Sequence, residues 1–175
     1  RQALLAWFRA NRMEILIVAL LLLGGIATRL VFLETHPYPW SGDEASIGSE
    51  ARRILNGSIT NFFATGWSGQ PNWSFTVNAV FLRIFGERGL AIRLVSALTG
   101  TLAVLGVYLL GRELFNREVA LLAGLFMVSF PYHLHFSRIG VHNIVDSFWS
   151  VFALWLVFRA ARRTLVLMLA VGFVS

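Results

Sequence analysis

The chain has 175 residues, of which 57% are hydrophobic and 14% are charged, and its net charge is +6. Soluble domains have about a quarter of their residues charged, so this composition excludes an ordinary soluble fold and predicts an all-α, polytopic membrane protein. The basic residues are all Arg and interrupt apolar runs instead of clustering on a polar surface, which argues against nucleic-acid binding. The absence of Cys excludes disulfides and thiolate metal sites.

Apolar runs long enough to cross a bilayer, about 20 residues each, predict the membrane spans in chain order. The predicted spans are 13–33, 89–111, 119–136, 139–158 and a truncated fifth span at 164–175. The segment 34–88 is predicted to be a long loop between the first two spans. Because the chain starts at Arg1 and stops at Ser175 within an apolar run, we expect it to be the N-terminal part of a longer multi-pass domain.

Arg residues in the short flanks of the spans predict the orientation, since cytoplasmic flanks are enriched in positive charge. The flanking residues that fall on one side are Arg1, Arg9, Arg12, Arg112, Arg117, Arg159, Arg162 and Arg163. The loop 34–88 also carries Arg, but long loops count less under this rule. We therefore predict a plasma (inner) membrane protein with a cytoplasmic N-terminus and an extracytoplasmic loop at 34–88.

Two short amphipathic helices are predicted within this loop. Ser41 followed three residues later by Glu44 is a capping-box pattern, and Gly57 is suited to end the helix that it starts. The apolar positions of this helix are Ile47, Ala51, Ile54 and Leu55. A second amphipathic stretch covers 73–85, and the Gly- and Asn-rich segment 61–72 between the two is predicted to be a loop. Both helices are of the kind that lies in the membrane interface.

The two Asp residues of the chain, Asp43 and Asp146, are predicted to lie at the same membrane face. Asp43 and its neighbour Glu44 are suited either to acid–base chemistry or to capping a helix N-terminus. An ionisable residue within a span usually marks a polar cavity, which is the functional interpretation of Asp146. The structural alternative is that Asp146 pairs with Arg138 or His142.

Three arginines, Arg29, Arg93 and Arg138, are predicted near that same face. Each one alone can extend to the lipid headgroups as a structural residue. Together they can bind a phosphate, because a guanidinium forms paired hydrogen bonds with phosphate oxygens. A site with Arg and carboxylates would suit a lipid phosphate as leaving group and a hydroxyl as nucleophile, and His142 and Asp146 are further candidates for substrate binding.

Three sequence segments resemble the polyprenyl-phosphate-dependent glycosyltransferases of the GT-C class. The segments are HPYPWSGDEA, AIRLVSALTGTLAVLGVYLLGRELFNREVALLAGLFMVSFP and SRIGVHNIVD. Together they cover most of the chain between about residues 20 and 163. The resemblance is strongest to the branch of protein O-mannosyltransferases and aminoarabinose lipid A transferases.

The resemblance implies a catalytic role for Asp43, with Glu44 as its acidic neighbour. It implies that Asp146 is the second acidic residue of the family and that Arg93 and Arg29 bind the lipid phosphate. The implied reaction is an inverting transfer, in which Asp43 is the general base toward an acceptor hydroxyl and polyprenyl phosphate leaves. The implied partners are a polyprenyl-phosphate sugar donor, the lipid bilayer and an acceptor that the sequence does not identify.

One segment departs from the pattern of that branch. Where the family has a His- or Lys-Pro-Pro-Leu-type motif, this chain has Gly-Gln-Pro-Asn-Trp-Ser at 69–74. The sequence therefore does not identify the acceptor class, and it does not decide whether a divalent cation binds Asp43 and Glu44. It also does not identify the sugar, the polyprenol or the oligomeric state. Two alternatives to a glycosyltransferase also stay open: a lipid or ion transporter or flippase that uses Asp146, and a non-catalytic membrane scaffold.

Overall fold

The computed structural model describes residues 10–37 and 39–161, and the described part of the chain is helical without a named strand. We number its α-helices in chain order. They are α1 (Arg12–Leu30), α2 (Gly42–Leu55), α3 (Thr76–Phe85), α4 (Gly89–Leu114), α5 (Arg117–Ser129), α6 (Pro131–Arg138) and α7 (Asn143–Ala161). Two short 3-10 helices, Trp67–Gly69 and Asn72–Phe75, lie in the loop between α2 and α3.

Three of these helices, α1, α4 and α7, are long and apolar enough to cross a membrane. Helices α5 and α6 are bent by 54° at Phe130 and count as a fourth span if the pair is one broken span. The prediction of an α-helical polytopic membrane protein is thus confirmed. The predicted span 119–136 is interrupted because Pro131 cannot donate to the carbonyl four residues before it. The predicted fifth span at 164–175 lies outside the described residues.

Helix α4 is the centre of the bundle, and it contacts α1, α5, α6 and α7 as well as both helices of the long loop. Its small residues allow close approach, as is usual between membrane helices. A Cβ atom added to Gly111 would come within 2.9 Å of the Ala120 backbone on α5, and one added to Gly106 would overlap Val151 on α7. This packing holds α5 and α7 close to the C-terminal half of α4.

Helix α2 starts with the capping box that the sequence predicts. The Ser41 hydroxyl accepts a hydrogen bond from the backbone N–H of Glu44, and the Glu44 carboxylate accepts one from the N–H of Ser41. Gly57 follows the helix with a φ of +77°, a conformation that favours glycine. The apolar face of α2, with Ile47 and Ala51, is buried against α3 and α4 within the protein.

Helix α3 has the opposite arrangement. Its buried positions are Asn78, Ala79 and Leu82, whereas the apolar side chains of Val77, Val80 and Ile84 are exposed. An apolar face that points away from the protein suits contact with lipid. Of the two loop helices, α3 is therefore the one whose outward face fits the expected interfacial location.

A polar cluster lies where α1, α4 and α5 meet, at the end of the bundle away from Asp43 and Asp146. The Glu14 carboxylate accepts hydrogen bonds from Tyr108 (2.7 Å), Arg112 (2.6 Å) and Arg117 (2.9 Å). This cluster connects the start of α1 to the end of α4 and the start of α5. Its arginines lie near the predicted cytoplasmic face, whereas Asp43 and Asp146 lie at the other end of the helices.

Candidate functional site

A buried ion pair joins α2 to α4 beside the predicted catalytic carboxylate. Arg93 Nε donates to Glu44 Oε1 at 2.7 Å, and Arg93 Nη2 donates to Glu44 Oε2 at 3.2 Å. Both side chains are almost completely buried, with 0% of the Arg93 side chain and 1% of the Glu44 side chain exposed. Two parallel hydrogen bonds of this kind orient the carboxylate as well as neutralising it.

The Glu44 carboxylate is saturated with donors. Besides the two hydrogen bonds from Arg93, it accepts one from the Ser41 backbone N–H and one from the Gly140 N–H, both at 2.9 Å. Burial raises the pKa of Glu44, but the hydrogen bonds from Arg93, Ser41 and Gly140 outweigh it and hold the pKa below its usual value. Glu44 is therefore an ionised structural anchor that connects α2, α4 and the turn before α7.

Arg93 has two further partners, a backbone carbonyl and an aromatic ring. Its Nη1 donates to the Leu33 carbonyl at 3.2 Å, and the Trp40 ring lies 3.8 Å from the guanidinium carbon. A side chain at Gly89 would overlap the Trp40 ring, so glycine makes room for this cation–π contact. The guanidinium is thus satisfied by the protein itself, and it attaches the segment that leads from α1 to α2.

The environment of the Asp43 carboxylate differs from that of Glu44. It lies in the first turn of α2, it is exposed, and its carboxylate makes no hydrogen bond or ion pair with the residues that the structure describes. Because Glu44 is anchored, the backbone that carries Asp43 is held in a fixed place. Of the acidic pair, Asp43 is the carboxylate that is available to a substrate.

Arg29 lies at the end of α1, completely buried, where it compensates for the break between α5 and α6. Pro131 has no N–H, so the Met127 carbonyl loses its helical partner, and Arg29 Nη2 donates to that carbonyl at 3.2 Å. The same nitrogen lies 3.0 Å from His133 Nδ1, which leaves His133 Nε2 to donate to the Ser147 hydroxyl at 3.2 Å. Arg29 therefore connects α1 to α5, α6 and, through His133, α7.

We expect the cost of replacing Arg29 by Met to depend on Pro131. In the native background, the change leaves the partly buried Met127 carbonyl without a donor, which costs about 1–3 kcal/mol of unfolding free energy. In a Pro131→Ala background, the restored N–H can bond to that carbonyl, so Arg29→Met should cost about 1 kcal/mol less. Chemical unfolding of the four proteins in detergent measures this difference, and strictly additive costs would contradict the compensation.

Arg138, at the end of α6, caps the C-terminus of α1. Its guanidinium donates to the backbone carbonyls of Thr28 (2.7 Å), Val31 (2.8 Å) and His36 (3.2 Å). Such carbonyls have no partner within a helix, so an Arg at this place stabilises the helix end. Unlike Arg29 and Arg93, Arg138 is only partly buried, and two of its three hydrogen bonds are exposed.

His142 and Asp146 line a cavity of about 610 Å³ between α3, α4, the start of α7 and the segment 70–74. His142 is hydrogen-bonded through Nδ1 to the Gln70 side-chain oxygen, and its Nε2 lies 3.3 Å from Asn78 Oδ1. Asp146 is exposed and makes no hydrogen bond or ion pair with a described residue. The structure thus places Asp146 with His142 in one cavity, and Arg138 bonds to the end of α1 instead of to Asp146.

The sequence interpretation did not identify Gln70 and Asn78 as part of this site. Asn78 lies on the α3 face that the apolar pattern assigns to the exterior, and Gln70 stands in the segment that departs from the family motif. Neither residue carried a signal in the sequence, because only the packing of α3 shows that the position of Asn78 is buried.

Acidification is expected to lower the free energy of unfolding through His142. Burial lowers the pKa of His142, and the nearby Asp146 carboxylate offsets part of this shift. The stability that neutral His142 contributes is therefore fully present above its unfolded pKa of about 6.5 and is lost as the pH falls through the lower folded pKa. Thermal unfolding of the full-length protein at a series of pH values should show this loss. His142→Gln should reduce the loss, and Asp146→Asn should increase it.

The placement of the His, Asp and Glu side chains and the hydrogen bonds of Glu44 limit where a metal ion could bind. Within 10–37 and 39–161, no three or more His, Asp or Glu side chains are grouped so that they could hold a metal ion. At the acidic pair, both Glu44 oxygens already accept hydrogen bonds from N–H donors. A divalent cation at this place would have to bind Asp43 with ligands from elsewhere.

Comparison with known proteins identifies the family of this chain. A profile of the dolichyl-phosphate-mannose-protein mannosyltransferase family matches residues 70–175, more than half of the chain. The chain belongs to this family. It is also 29% identical over 133 residues to the "Putative mannosyltransferase YkcB" of Bacillus subtilis, a match that covers 74% of this chain and 19% of that protein. No solved structure matched the chain significantly.

The mannosyltransferase profile covers only part of the candidate site. Arg93, Arg138, His142 and Asp146 lie within the matched residues, as does the whole cavity. Asp43 and its neighbour Glu44 precede the matched segment. The chain spans about a fifth of the length of the Bacillus subtilis relative, since the match covers 19% of it.

Proposed function

We propose that this chain is part of a membrane glycosyltransferase that transfers a sugar from a polyprenyl-phosphate-linked donor to an acceptor hydroxyl at the extracytoplasmic face. The observation that carries the proposal is the acidic pair: Glu44 is held by four donors, while Asp43 beside it is exposed and has no partner among the described residues. In a chain of the mannosyltransferase family, a free carboxylate on an anchored helix start is suited to be a general base.

In the proposed reaction, Asp43 takes the proton of the acceptor hydroxyl as that oxygen attacks the anomeric carbon of the donor sugar. The bond from the anomeric carbon to the phosphate oxygen breaks, and the electron pair leaves with polyprenyl phosphate. Attack from the side opposite to the leaving group inverts the anomeric configuration. The carboxylate must be held within hydrogen-bonding distance of the hydroxyl, which explains why its neighbour is anchored to α4 and to the turn before α7.

Of the three arginines suggested for phosphate binding, Arg138 is the one that we propose to contact the donor phosphate. Arg93 is paired with a carboxylate and covered by Trp40, and Arg29 is completely buried. Within the described residues, Arg138 is bonded to neutral backbone carbonyls, and its two hydrogen bonds through Nη2 are exposed. An anionic phosphate can compete with neutral carbonyls for a guanidinium. Arg93 and Arg29 are then positioning residues.

The proposed function is tested with the full-length protein in liposomes. Labelled polyprenyl-phosphate mannose and the corresponding nucleotide sugar are supplied separately, and the release of label from each donor is measured. We expect sugar transfer or slow hydrolysis from the lipid-linked donor alone, with a product of inverted anomeric configuration by NMR. Use of the nucleotide sugar, or retention of configuration, would contradict the proposal.

The break between α5 and α6 favours a second candidate, a lipid or ion transporter, because discontinuous helices commonly line transport sites. The two candidates differ in whether the glycosidic bond is cleaved. In sealed liposomes, a transporter moves the intact lipid-linked sugar between leaflets and leaves its mass unchanged. A glycosyltransferase yields free polyprenyl phosphate.

A further inference from the structure

The cavity that holds His142 and Asp146 has two kinds of wall. Hydrogen-bonding groups are contributed by the side chains of Gln70, Asn78, His142, Asn143 and Asp146. Apolar surface is contributed by Trp73, Val77, Val95, Leu102, Phe148 and Trp149. Its volume of about 610 Å³ is in the range of small-molecule sites, which combine apolar walls with a few polar groups that fix orientation.

The polar wall is held in place before any ligand binds. His142 bridges the side chains of Gln70 and Asn78, and its ring packs 5.1 Å from the ring of Phe75. The side-chain oxygens of both Gln70 and Asn78 face the ring, and a neutral imidazole has one N–H to donate to them. Each amide keeps a second hydrogen-bonding end that His142 does not use. The site therefore offers both donors and acceptors at fixed positions, as hydroxyl groups require.

The charge of the cavity limits what it can bind. None of the residues that line it is Arg, and its acidic side chain is that of Asp146. Arg29, Arg93 and Arg138 bond elsewhere, so the described chain brings no cation to the Asp146 carboxylate. A phosphate, a uronate or another anion would be repelled here, whereas a neutral hydroxyl can donate to this carboxylate.

The two tryptophans supply flat apolar surfaces on two sides of the cavity. Trp73 is 50% exposed and Trp149 is 57% exposed, so their rings are available for contact. Trp73 precedes α3, and Trp149 is one helical turn after Asp146 on α7. An amphipathic ring with an apolar face and hydroxyls at its edge would pack its face on an indole and direct its hydroxyls to the amides and to Asp146.

We propose that this cavity binds a sugar ring without negative charge, with Asp146 as the residue that rejects anionic sugars and Trp149 as the stacking surface. This deepens the proposed function, on which it rests: the sugar ring would occupy this cavity, and the donor phosphate would lie outside it. The ring can belong to the lipid-linked donor or to a glycan acceptor, and both present the same hydroxyl chemistry.

Binding is tested without turnover, in the full-length protein in detergent, with octyl mannoside and octyl glucuronide as probes of equal chain length. Isothermal titration should show tighter binding of the mannoside to the wild type. Trp149→Leu should weaken mannoside binding by about ten-fold. Trp155→Leu removes an indole from the same helix without touching the cavity lining and should leave binding unchanged. Asp146→Asn should raise glucuronide affinity relative to mannoside by about ten-fold.

Equal affinity of the wild type for the two probes would overturn the proposal, as would equal effects of Trp149→Leu and Trp155→Leu. Competition of octyl mannoside with polyprenyl-phosphate mannose would assign the cavity to the donor sugar, and competition with a glycan acceptor would assign it to the acceptor. Selective mannoside binding in a protein that transfers no sugar would support this site while the proposed function fails. Sugar transfer without selective mannoside binding would support the proposed function while this site fails.

Discussion

Replacement of Asp43 by Asn is expected to lower sugar transfer by about 10²–10⁴-fold, the usual contribution of a general base. The amide keeps the size of the side chain but cannot take the proton of the acceptor hydroxyl. Because Asp43 is exposed and makes no hydrogen bond or ion pair with a described residue, its replacement removes no packing or pairing contact. The loss should therefore appear in kcat with little change in the unfolding temperature.

The measurement compares single-turnover transfer by the wild type and Asp43→Asn at matched protein amounts. Glu50→Gln is a suitable control, because Glu50 lies on the same helix and, among the described residues, pairs with the neighbouring Arg53. We expect the control to retain transfer. Equal transfer by wild type and Asp43→Asn would remove Asp43 from the mechanism, and equal losses in both variants would indicate a general effect of charge on α2.

Removal of one member of the buried Glu44–Arg93 pair is expected to lower the free energy of unfolding by about 3–5 kcal/mol. Glu44→Gln leaves the Arg93 guanidinium buried without its anion, and it weakens the acceptor for the N–H groups of Ser41 and Gly140. The stability that ionised Glu44 contributes is also lost as the pH falls through its lowered pKa, since the unfolded carboxyl binds its proton first.

Unfolding of the full-length protein in detergent measures this loss, with Glu87→Gln as the control. Glu87 pairs with Arg52 at 2.8 Å, but more than half of both side chains is exposed, so this loss should be within about 1 kcal/mol. The double change Glu44→Met with Arg93→Met should cost less than the sum of the single changes, because no unpaired charge is left buried. Additive costs, or a loss as small as that of the control, would contradict the role of the pair as an anchor.

Several features of this protein can be predicted from short stretches of its sequence. Ser41 and Glu44 form a capping box because their spacing alone brings the side chains to each other's backbone N–H. The membrane-crossing character of α1, α4 and α7 follows from the length and hydropathy of their segments. Pro131 marks the place where the third predicted span breaks. All of these depend on contacts within a few residues, which a sequence pattern records.

The partners of the charged side chains could not be predicted in this way. From the sequence, Arg29, Arg93 and Arg138 are equivalent: each is an arginine predicted near the same membrane face. In the structure, one pairs with a carboxylate 49 positions away, one bonds to the carbonyl that a proline leaves free, and one caps the end of α1. Which of these occurs depends on how neighbouring helices are rotated and how closely they approach.

The sequence by itself thus determined a helical membrane protein, the capped start of α2 and the acidic pair that resembles a glycosyltransferase site. Only the tertiary structure decided that Glu44 is an anchor and Asp43 the free carboxylate, because that depends on Arg93 and Gly140 approaching from other elements. The tertiary structure also places Asn78 on the buried face of α3, where it lines the cavity together with the segment 70–74, α4 and α7. Hydropathy and helical period act along the chain, whereas charge pairing and cavities arise where distant segments meet.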